Sequence, residues 1–460
     1  MKIFNQVNKT IEGSNQRFIK AFRIKPTQVI ILSFVVMITI GTLLLMLPIS
    51  TTNGQGLHPI DALFVSTSAS CVVGLTVVDL HNDLTLFGQI VMLVLIQVGG
   101  LGIMTLATLV VYTMGHRFRL QENIVLQESL NQGSQAGLIT LIGRMIKYTL
   151  AIEGFFAVVL TVHFIPEFGI NAIGHGIFHS VSAFCNAGFD LFGNYDSLCK
   201  RNDDLFLLTC LGTLIILGGI GFTVISDLIH RRRWKKFSLH TKIVLVTNAF
   251  LIVVGTGIIF AVELFDPYTL EGMPLADQIV NAWFNSVSCR TAGMNSIILN
   301  ECQQITLLVM ILLMFIGASP LSTGGGIKST TFFVIVASMW TVFRGKDDIV
   351  IFGRRIADKL RDQAFAIFTM GTIWVVTAAI ILSALDGEVH DLDFVLFETV
   401  SAFGTVGMGI GITLDWNFSA KLVLTLTMLV GRVGIMTFML SLVTQHDTRI
   451  KYPPEDIMVG

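Results

Sequence analysis

The sequence predicts an all-α, multi-pass membrane protein, and three observations support this prediction. Hydrophobic residues make up 53% of the 460 residues and charged residues only 13%, whereas about a quarter of an average soluble domain is charged. Apolar segments long enough to cross a bilayer recur along the chain, and one short glycine turn appears four times between them. We therefore expect a protein that works within the lipid bilayer, without nucleic acid as a partner.

The apolar segments follow a pattern of span, half-span, glycine turn and span. A helix of about 20 apolar residues crosses a hydrocarbon core of about 30 Å. The predicted spans are 28–48, 87–114, 145–164, 205–229, 244–262, 306–342, 365–384 and 422–443, and the shorter half-spans are 58–68, 173–184, 275–289 and 394–403. The pattern predicts eight transmembrane helices and four re-entrant half-helices. Irregular backbone at membrane depth is tolerated only where protein buries it or where it lines a watery cavity.

The four glycine turns align on Gly74, Gly188, Gly293 and Gly407, at intervals of 114, 105 and 114 residues. A fixed period of this kind indicates a fold built from one repeated unit. We predict four such units, 1–115, 116–230, 231–346 and 347–460, each contributing a span, a pore half-helix and a second span (M1–P–M2) around one central pore.

Four short turns that meet on one axis can present rings of backbone carbonyls, which replace the water shell of a cation. Glycine allows the backbone angles that such a turn needs. The alternative is that these are ordinary helix-to-loop turns. The predicted ion-binding residues, with K+ as the bound ion, are Val72, Val73, Gly74 and Leu75 in the first turn, Asn186, Ala187, Gly188 and Phe189 in the second, Thr291, Ala292, Gly293 and Met294 in the third, and Thr405, Val406, Gly407 and Met408 in the fourth.

The second span of the third unit contains Pro320 and three consecutive glycines, a run that interrupts a helix. We predict that Ser319–Lys328, called the gate loop below, lies across the ion path beneath the turns. The predicted gate residues are Ser319, Thr323, Gly324, Gly325, Gly326, Lys328 and Arg432. The other second spans carry glycines in 97–105, 217–223 and 431–437, which we interpret as positions where helices pack closely.

Arg432 lies within an apolar span, where an arginine is costly unless it faces a cavity or finds partners. We predict that it forms an electrostatic barrier below the turns; the alternative is that it joins helices through backbone carbonyls. Glu398 and His179 occupy matching places in two half-helices, nine residues before the glycine. We interpret both as scaffold, with Glu398 accepting backbone N–H groups to support a neighbouring turn.

Charge predicts the orientation. Arginine and lysine are concentrated in the linkers between units and in the C-terminal tail, whereas carboxylates surround the half-spans. By the positive-inside rule, both termini and the linkers are cytoplasmic. The basic linkers either anchor the protein to anionic lipid or form a docking surface for a partner. The six cysteines lack metal-site or disulfide spacing.

The four units, the turns Val72–Leu75, Asn186–Phe189, Thr291–Met294 and Thr405–Met408, the gate loop and Arg432 together resemble the Trk/Ktr/HKT superfamily of potassium transporters. The chain looks most like the Ktr membrane subunit, of the KtrB or KtrD type. This resemblance implies potassium uptake across a bacterial cytoplasmic membrane, with no cofactor in this chain and sodium as a coupling or activating ion. It also implies a homodimer that works with a cytosolic, nucleotide-binding regulatory ring of the RCK type (KtrA or KtrC).

Two other classes of function are weighed against this one. Broken helices also form midplane sites for organic solutes in secondary transporters, and competition of rubidium uptake by such solutes separates the two. The chain has neither an H-E-x-x-H nor a G-x-S-x-G motif, so we expect no enzyme activity.

Overall fold

The computed structural model describes residues 26–102, 138–385 and 390–442, and these residues are mostly helical. Their one pair of strands is a short antiparallel hairpin in the linker between the third and fourth glycine turns. Its strands are β1 (Val350–Ile351) and β2 (Arg354–Arg355), with Val350 paired to Arg355.

Each glycine turn follows a helix of 13 or 14 residues, called a short helix below. Around the first two turns the helices are α1 (Pro26–Leu45), α2 (Pro59–Cys71), α3 (Leu86–Leu101), α4 (Leu138–Phe168), α5 (Ala172–Cys185), α6 (Leu205–Gly219) and α7 (Phe222–Arg231). Around the last two they are α8 (Leu239–Glu263), α9 (Leu275–Ser288), α10 (Gln304–Phe315), α11 (Ser329–Phe343), α12 (Asp358–Leu385), α13 (Leu392–Gly404), α14 (Phe418–Val433) and α15 (Ile435–Leu442). The short helices are α2, α5, α9 and α13.

Three of the helices that follow a glycine turn begin with the same kind of cap. Thr85, Asp204 and Asn417 precede α3, α6 and α14, and each side chain accepts the N–H of the residue three positions later. This bond satisfies one of the backbone donors that an α-helix leaves free at its start. The caps fix where these helices begin after each turn.

The short helices form the centre of the molecule and the long helices surround them. In α2 and α13, every residue of the last two turns is buried. By contrast, α4 exposes Phe155, Val158 and Val162 by more than 60% of their surface. An apolar face turned outward on a long helix is suited to lipid rather than to water. The multi-pass membrane character expected from composition agrees with this arrangement.

By length and composition, four helices in the described residues can each cross a membrane, and the number rises to six if each of two sharply bent pairs is one span. The four are α1, α8, α12 and the helix that includes α4. The shorter apolar helices α3, α10 and α11 do not reach that length within the described residues. The predicted span 87–114 is described only as far as 102, so its second half lies outside the described residues.

The predicted second spans 205–229 and 422–443 are each sharply bent in the structure. α6 and α7 meet at 96°, and α14 and α15 meet at 101°. At the bends, Gly221 and Gly434 have φ of 92° and 90°, and Gly102 has φ of 83° where α3 ends. These left-handed values cannot continue a right-handed helix, and glycine adopts them without steric cost. The glycines that we interpreted as packing positions therefore also end helices. The predicted break in 306–342 is present between α10 and α11.

Candidate functional site

The four glycine turns share an unusual backbone. In each turn the glycine has a positive φ, and so does the non-glycine residue two positions before it. The φ values are 58° and 110° for Val72 and Gly74, 59° and 74° for Asn186 and Gly188, 83° and 80° for Thr291 and Gly293, and 53° and 93° for Thr405 and Gly407. A left-handed non-glycine residue costs roughly 1–2 kcal/mol, so the surroundings must hold each turn in this shape.

The turns close into a ring. A Cβ atom added to any of the four glycines would lie within 2.9 Å of a carbonyl oxygen of the next turn. Gly74 faces the carbonyl of Ala187, Gly188 faces that of Ala292, Gly293 faces that of Val406, and Gly407 faces that of Val73. The sequence order is thus the spatial order, and the fourth turn returns to the first. The ring requires glycine at all four places because no side chain fits between neighbouring turns.

A buried serine supports each turn from its short helix. Ser68 and Ser401 accept the N–H of Gly74 and Gly407 on their hydroxyl oxygens, at 3.1 and 3.0 Å. Ser182 and Ser288 instead donate to the carbonyls of Phe189 and Met294. These serines were not among the predicted site residues. Their spacing could have indicated them. The serine lies six residues before the glycine in the first, second and fourth turns and five residues before it in the third turn.

A second polar side chain holds the segment that leaves three of the turns. His179 Nε2 accepts the N–H of Leu191 at 3.3 Å, and Glu398 Oε1 accepts that of Ile410 at 3.0 Å. After the third turn, Asn285 Oδ1 accepts the N–H of Ser296 at 3.4 Å. Asn285 was not among the predicted residues. The scaffold interpretation of His179 and Glu398 agrees with these contacts. Glu398, however, supports the segment after its own turn rather than a neighbouring turn.

A cavity of about 430 Å³ opens on one side of the ring and reaches all four glycines. Asp79 and Asp190 are among the residues that line it. Asp79 accepts the N–H groups of His81 and Asn194, at 2.9 and 2.5 Å, and so joins the loops after the first and second turns. Burial by itself raises the pKa of Asp79, but the hydrogen bonds outweigh burial and hold the pKa below its ordinary value. Asp79 therefore supplies a negative charge to this cavity at neutral pH.

The gate loop lies against the other side of the ring. Its Thr323 hydroxyl donates to the carbonyl of Phe184 at 3.1 Å, and its Gly325 N–H donates to the Thr405 hydroxyl at 2.9 Å. A side chain at Gly324 would overlap the Thr291 hydroxyl. The structure therefore brings the predicted gate residues into direct contact with the third and fourth glycine turns and with the end of α5, which precedes the second turn.

Carbonyls at the helix breaks hold the gate loop from the outside. The N–H of Ser319 donates to Gly219 at 3.1 Å and that of Thr323 to Gly218 at 3.3 Å, at the end of α6. The N–H of Gly326 donates to Gly431 at 3.3 Å, near the end of α14. The loop thus replaces hydrogen bonds that the two bent helices cannot make to themselves.

Arg432 links the gate loop to α3, the helix that follows the first glycine turn. Its guanidinium donates to the carbonyl of Thr323 in the gate loop and to those of Gly99 and Gly100 at the end of α3. Lys328 donates to the next carbonyl of the loop, that of Gly324, at 2.7 Å. Both expectations for Arg432 describe part of this arrangement: it joins helices through carbonyls and it places a positive charge at the loop. In the described part of the chain, neither cation pairs with a carboxylate.

All six cysteines are free thiols. Within residues 26–102, 138–385 and 390–442, no group of three or more histidine, cysteine or carboxylate side chains could hold a metal ion. The oxygen atoms gathered at the ring are backbone carbonyls, which are ligands for a desolvated alkali cation rather than for a transition metal.

A ring of carbonyls, an acidic cavity on one side and a polar loop on the other, all at the centre of membrane helices, define a multi-pass membrane transporter. The chain belongs to the TrkH family of cation transport proteins, whose model matches residues 14–450. This confirms the family expected from the glycine turns, and the family is one of transporters rather than of enzymes.

Relatives match almost the whole chain. The Ktr system potassium uptake protein B of Bacillus subtilis is 39% identical over 445 residues, which cover 96% of this chain and 99% of that protein. The potassium/sodium uptake protein NtpJ of Enterococcus hirae is 38% identical over 95% of this chain and 98% of that protein. The crystal structure of the potassium transporter TrkH from Vibrio parahaemolyticus matches with a TM-score of 0.73 at 19% identity, covering 91% of this chain and 84% of that one. That likeness shows the shared fold.

Proposed function

We propose that this protein carries potassium across the bacterial cytoplasmic membrane as the ion-translocating subunit of a Ktr-type system. The ring closed by Gly74, Gly188, Gly293 and Gly407 is the observation that carries the proposal. The carbonyls that face those glycines belong to Val73, Ala187, Ala292 and Val406, and carbonyl rings replace the hydration shell of potassium in selective pores. The names of the Bacillus and Enterococcus relatives, which both include potassium uptake, support this choice of ion.

In this proposal the chain has four M1–P–M2 repeats around one pore. The repeats contain α1–α3, α4–α7, α8–α11 and α12–α15, with a short helix in each as the pore helix. The second span is interrupted in the last three repeats, at Gly221, across the gate loop and at Gly434, and in the first repeat α3 ends at Leu101. The basic linker residues 231–236 are mostly exposed, in keeping with cytoplasmic linkers and cytoplasmic termini.

The gate loop and Arg432 form the gate in this proposal. The loop lies against the third and fourth glycine turns, and Arg432 and Lys328 donate to two consecutive carbonyls of it. The positive charge of Arg432 at this level opposes the passage of a cation. To move aside, the loop must exchange for others the hydrogen bonds that it accepts from Arg432 and Lys328 and those that it donates to the carbonyls of Gly218, Gly219 and Gly431.

The finer assignments follow from the Ktr relatives. A homodimer with a cytosolic RCK-type regulatory ring is proposed because relatives of this chain are named as proteins of a Ktr system. Sodium is proposed as a coupling or activating ion, and the potassium/sodium uptake protein of Enterococcus supports that role.

Rubidium tracer influx into liposomes that hold the purified chain alone tests the function. We expect influx that potassium blocks and that sodium blocks weakly. Arg432→Ala removes three hydrogen bonds that hold the gate loop and α3 together, so it should raise the influx several-fold. An absence of potassium-sensitive influx in both the wild type and Arg432→Ala would refute the proposal, because the variant removes the closed gate as an explanation.

A further inference from the structure

A buried polar connection joins the third glycine turn to the gate loop, separately from the direct contacts described above. Arg290 immediately precedes Thr291 in that turn and is only 5% exposed. Its guanidinium donates to the side-chain oxygen of Asn248 on α8. Within the described residues its Nε has no acceptor. Burying a guanidinium is costly unless it is hydrogen-bonded or paired. The contact with Asn248 is therefore important for the position of this turn.

Asn248 uses both ends of its amide. Its oxygen accepts from Arg290, and its Nδ2 donates to the Ser319 hydroxyl at 3.0 Å and to the Val244 carbonyl at 2.7 Å. A guanidinium has only donors, so the amide oxygen must face Arg290 and the amide nitrogen must face Ser319. The charge on Arg290 therefore fixes the orientation of Asn248.

The hydrogen bonds from Asn248 lead to both ends of the gate loop. Ser319 is the first residue of the loop, and its hydroxyl lies 2.9 Å from that of Ser329, the first residue after the loop. Asn248, Ser319 and Ser329 are all buried. The amide on α8 thus bonds to the first residue of the loop directly and reaches the residue after the loop through the Ser319 hydroxyl.

This connection is peculiar to the third turn. The residues that correspond to Arg290 in the first, second and fourth turns are Cys71, Cys185 and Gly404, none of which carries a guanidinium. The third repeat is also the one whose second span contains the gate loop. The connection through Arg290 and the gate loop that it reaches therefore occur in the same repeat.

We propose that Asn248 is a positioning residue that couples the third glycine turn to the gate loop. When the gate opens, Ser319 moves away from Asn248, and the amide loses the contact that holds its nitrogen end to the loop. Asn248, Arg290 and the carbonyls of the third turn then shift together. Opening the gate then changes how strongly the ring distinguishes potassium from sodium. This inference rests on the proposed function of the ring and the loop.

The test is rubidium influx with potassium or sodium as competitor, in Asn248→Ala, Ser319→Ala and the double variant. The readout is the ratio of the sodium and potassium concentrations that halve the influx. We expect each single variant to lower this ratio by about 3-fold or more, within the range of couplings between sites. The double variant should lie no lower than Asn248→Ala, because both substitutions break one connection.

Thr247→Val is the matched control. Thr247 is the neighbour of Asn248 on α8, it is equally buried, and its hydroxyl has no hydrogen-bond partner in the described residues. In Thr247→Val, the ratio of the sodium and potassium concentrations that halve the influx should equal that of the wild type.

An unchanged ratio in Ser319→Ala, or additive effects in the double variant, would overturn the coupling. Ser319→Ala decides the matter by itself if Asn248→Ala does not fold. A wild type and an Arg432→Ala variant that both lack potassium-sensitive influx would overturn the function and the coupling together.

Discussion

Replacing Gly407 by alanine is the most direct test of the ring. The new Cβ would lie 2.7 Å from both Gly74 Cα and the carbonyl carbon of Val73, and closer still to the oxygen of that carbonyl. Ordinary contact begins at 3.4 Å, so the fourth and first turns must separate by about 0.7 Å or more. The displaced group includes the Val73 carbonyl, one of the four that face the glycines. A positive φ at alanine adds roughly 1–2 kcal/mol of strain.

Gly272→Ala separates the strain from the displacement. Gly272 has φ of 83°, close to the 93° of Gly407, but an added Cβ meets nothing within 4 Å. We expect Gly407→Ala to lower the ratio of sodium to potassium half-blocking concentrations by at least about tenfold, equivalent to about 1.4 kcal/mol. Gly272→Ala should change that ratio less than about twofold. The reasoning is refuted if a folded Gly407→Ala keeps the wild-type ratio, or if both variants lose selectivity equally.

Two further predictions concern the gate loop and the outer loops. Thr405→Val keeps the shape of a β-branched residue, which Val72 shows to be compatible with this backbone, but removes the acceptor of the Gly325 N–H. A buried N–H without a partner costs about 1–3 kcal/mol, so rubidium influx through the purified chain should rise several-fold; unchanged influx counts against that bond. Asp79→Asn should lower the unfolding temperature at pH 6. Because the pKa of Asp79 is depressed in the folded protein, its stabilisation is present above about pH 4 and is lost as the pH falls through the folded pKa. The pH dependence of unfolding should therefore be flatter in Asp79→Asn than in the wild type, and equal slopes would contradict the assignment.

The sequence alone is sufficient for the parts of the site that depend on local backbone chemistry. Each glycine turn needs a residue without a side chain at one position, and that need repeats visibly at Gly74, Gly188, Gly293 and Gly407. The break before α11 is equally visible, since Pro320 and three glycines cannot continue a helix. These features are read from composition because their cause lies within a few residues.

The contacts between repeats could not be predicted in the same way. Arg432 reaches the carbonyl of Thr323, which lies 109 residues away, and that of Gly99, which lies 333 residues away. Nothing in the residues around Arg432 indicates those acceptors. Asn248 illustrates the same difficulty, because an asparagine inside an apolar helix gives no sign of which turn and which loop it joins. Spacing did indicate a shared role for Glu398 and His179, which lie at the same position in their half-helices, and each accepts the N–H twelve residues later.

The bends in α6–α7 and α14–α15 and the end of α3 explain why the gate loop has a stable place at all. Paired or spaced glycines are equally suited to close helix packing and to ending a helix, so the sequence left their role open. In the structure, Phe222 N–H at the start of α7 donates to Leu321 of the loop instead of to Gly218 near the end of α6, and the freed Gly218 carbonyl accepts from Thr323. The Gly431 and Gly99 carbonyls are used in the same manner, by Gly326 and by Arg432. The ends of α6 and α14 thus supply acceptors for one loop that has no helix of its own, and the end of α3 is joined to that loop through Arg432. The loop is held by these hydrogen bonds and by Ile327 and Leu321, which pack into the hydrophobic core. None of these contacts is part of a helix, so the loop can leave its place without the unfolding of any helix, which is the property that the proposed gate requires.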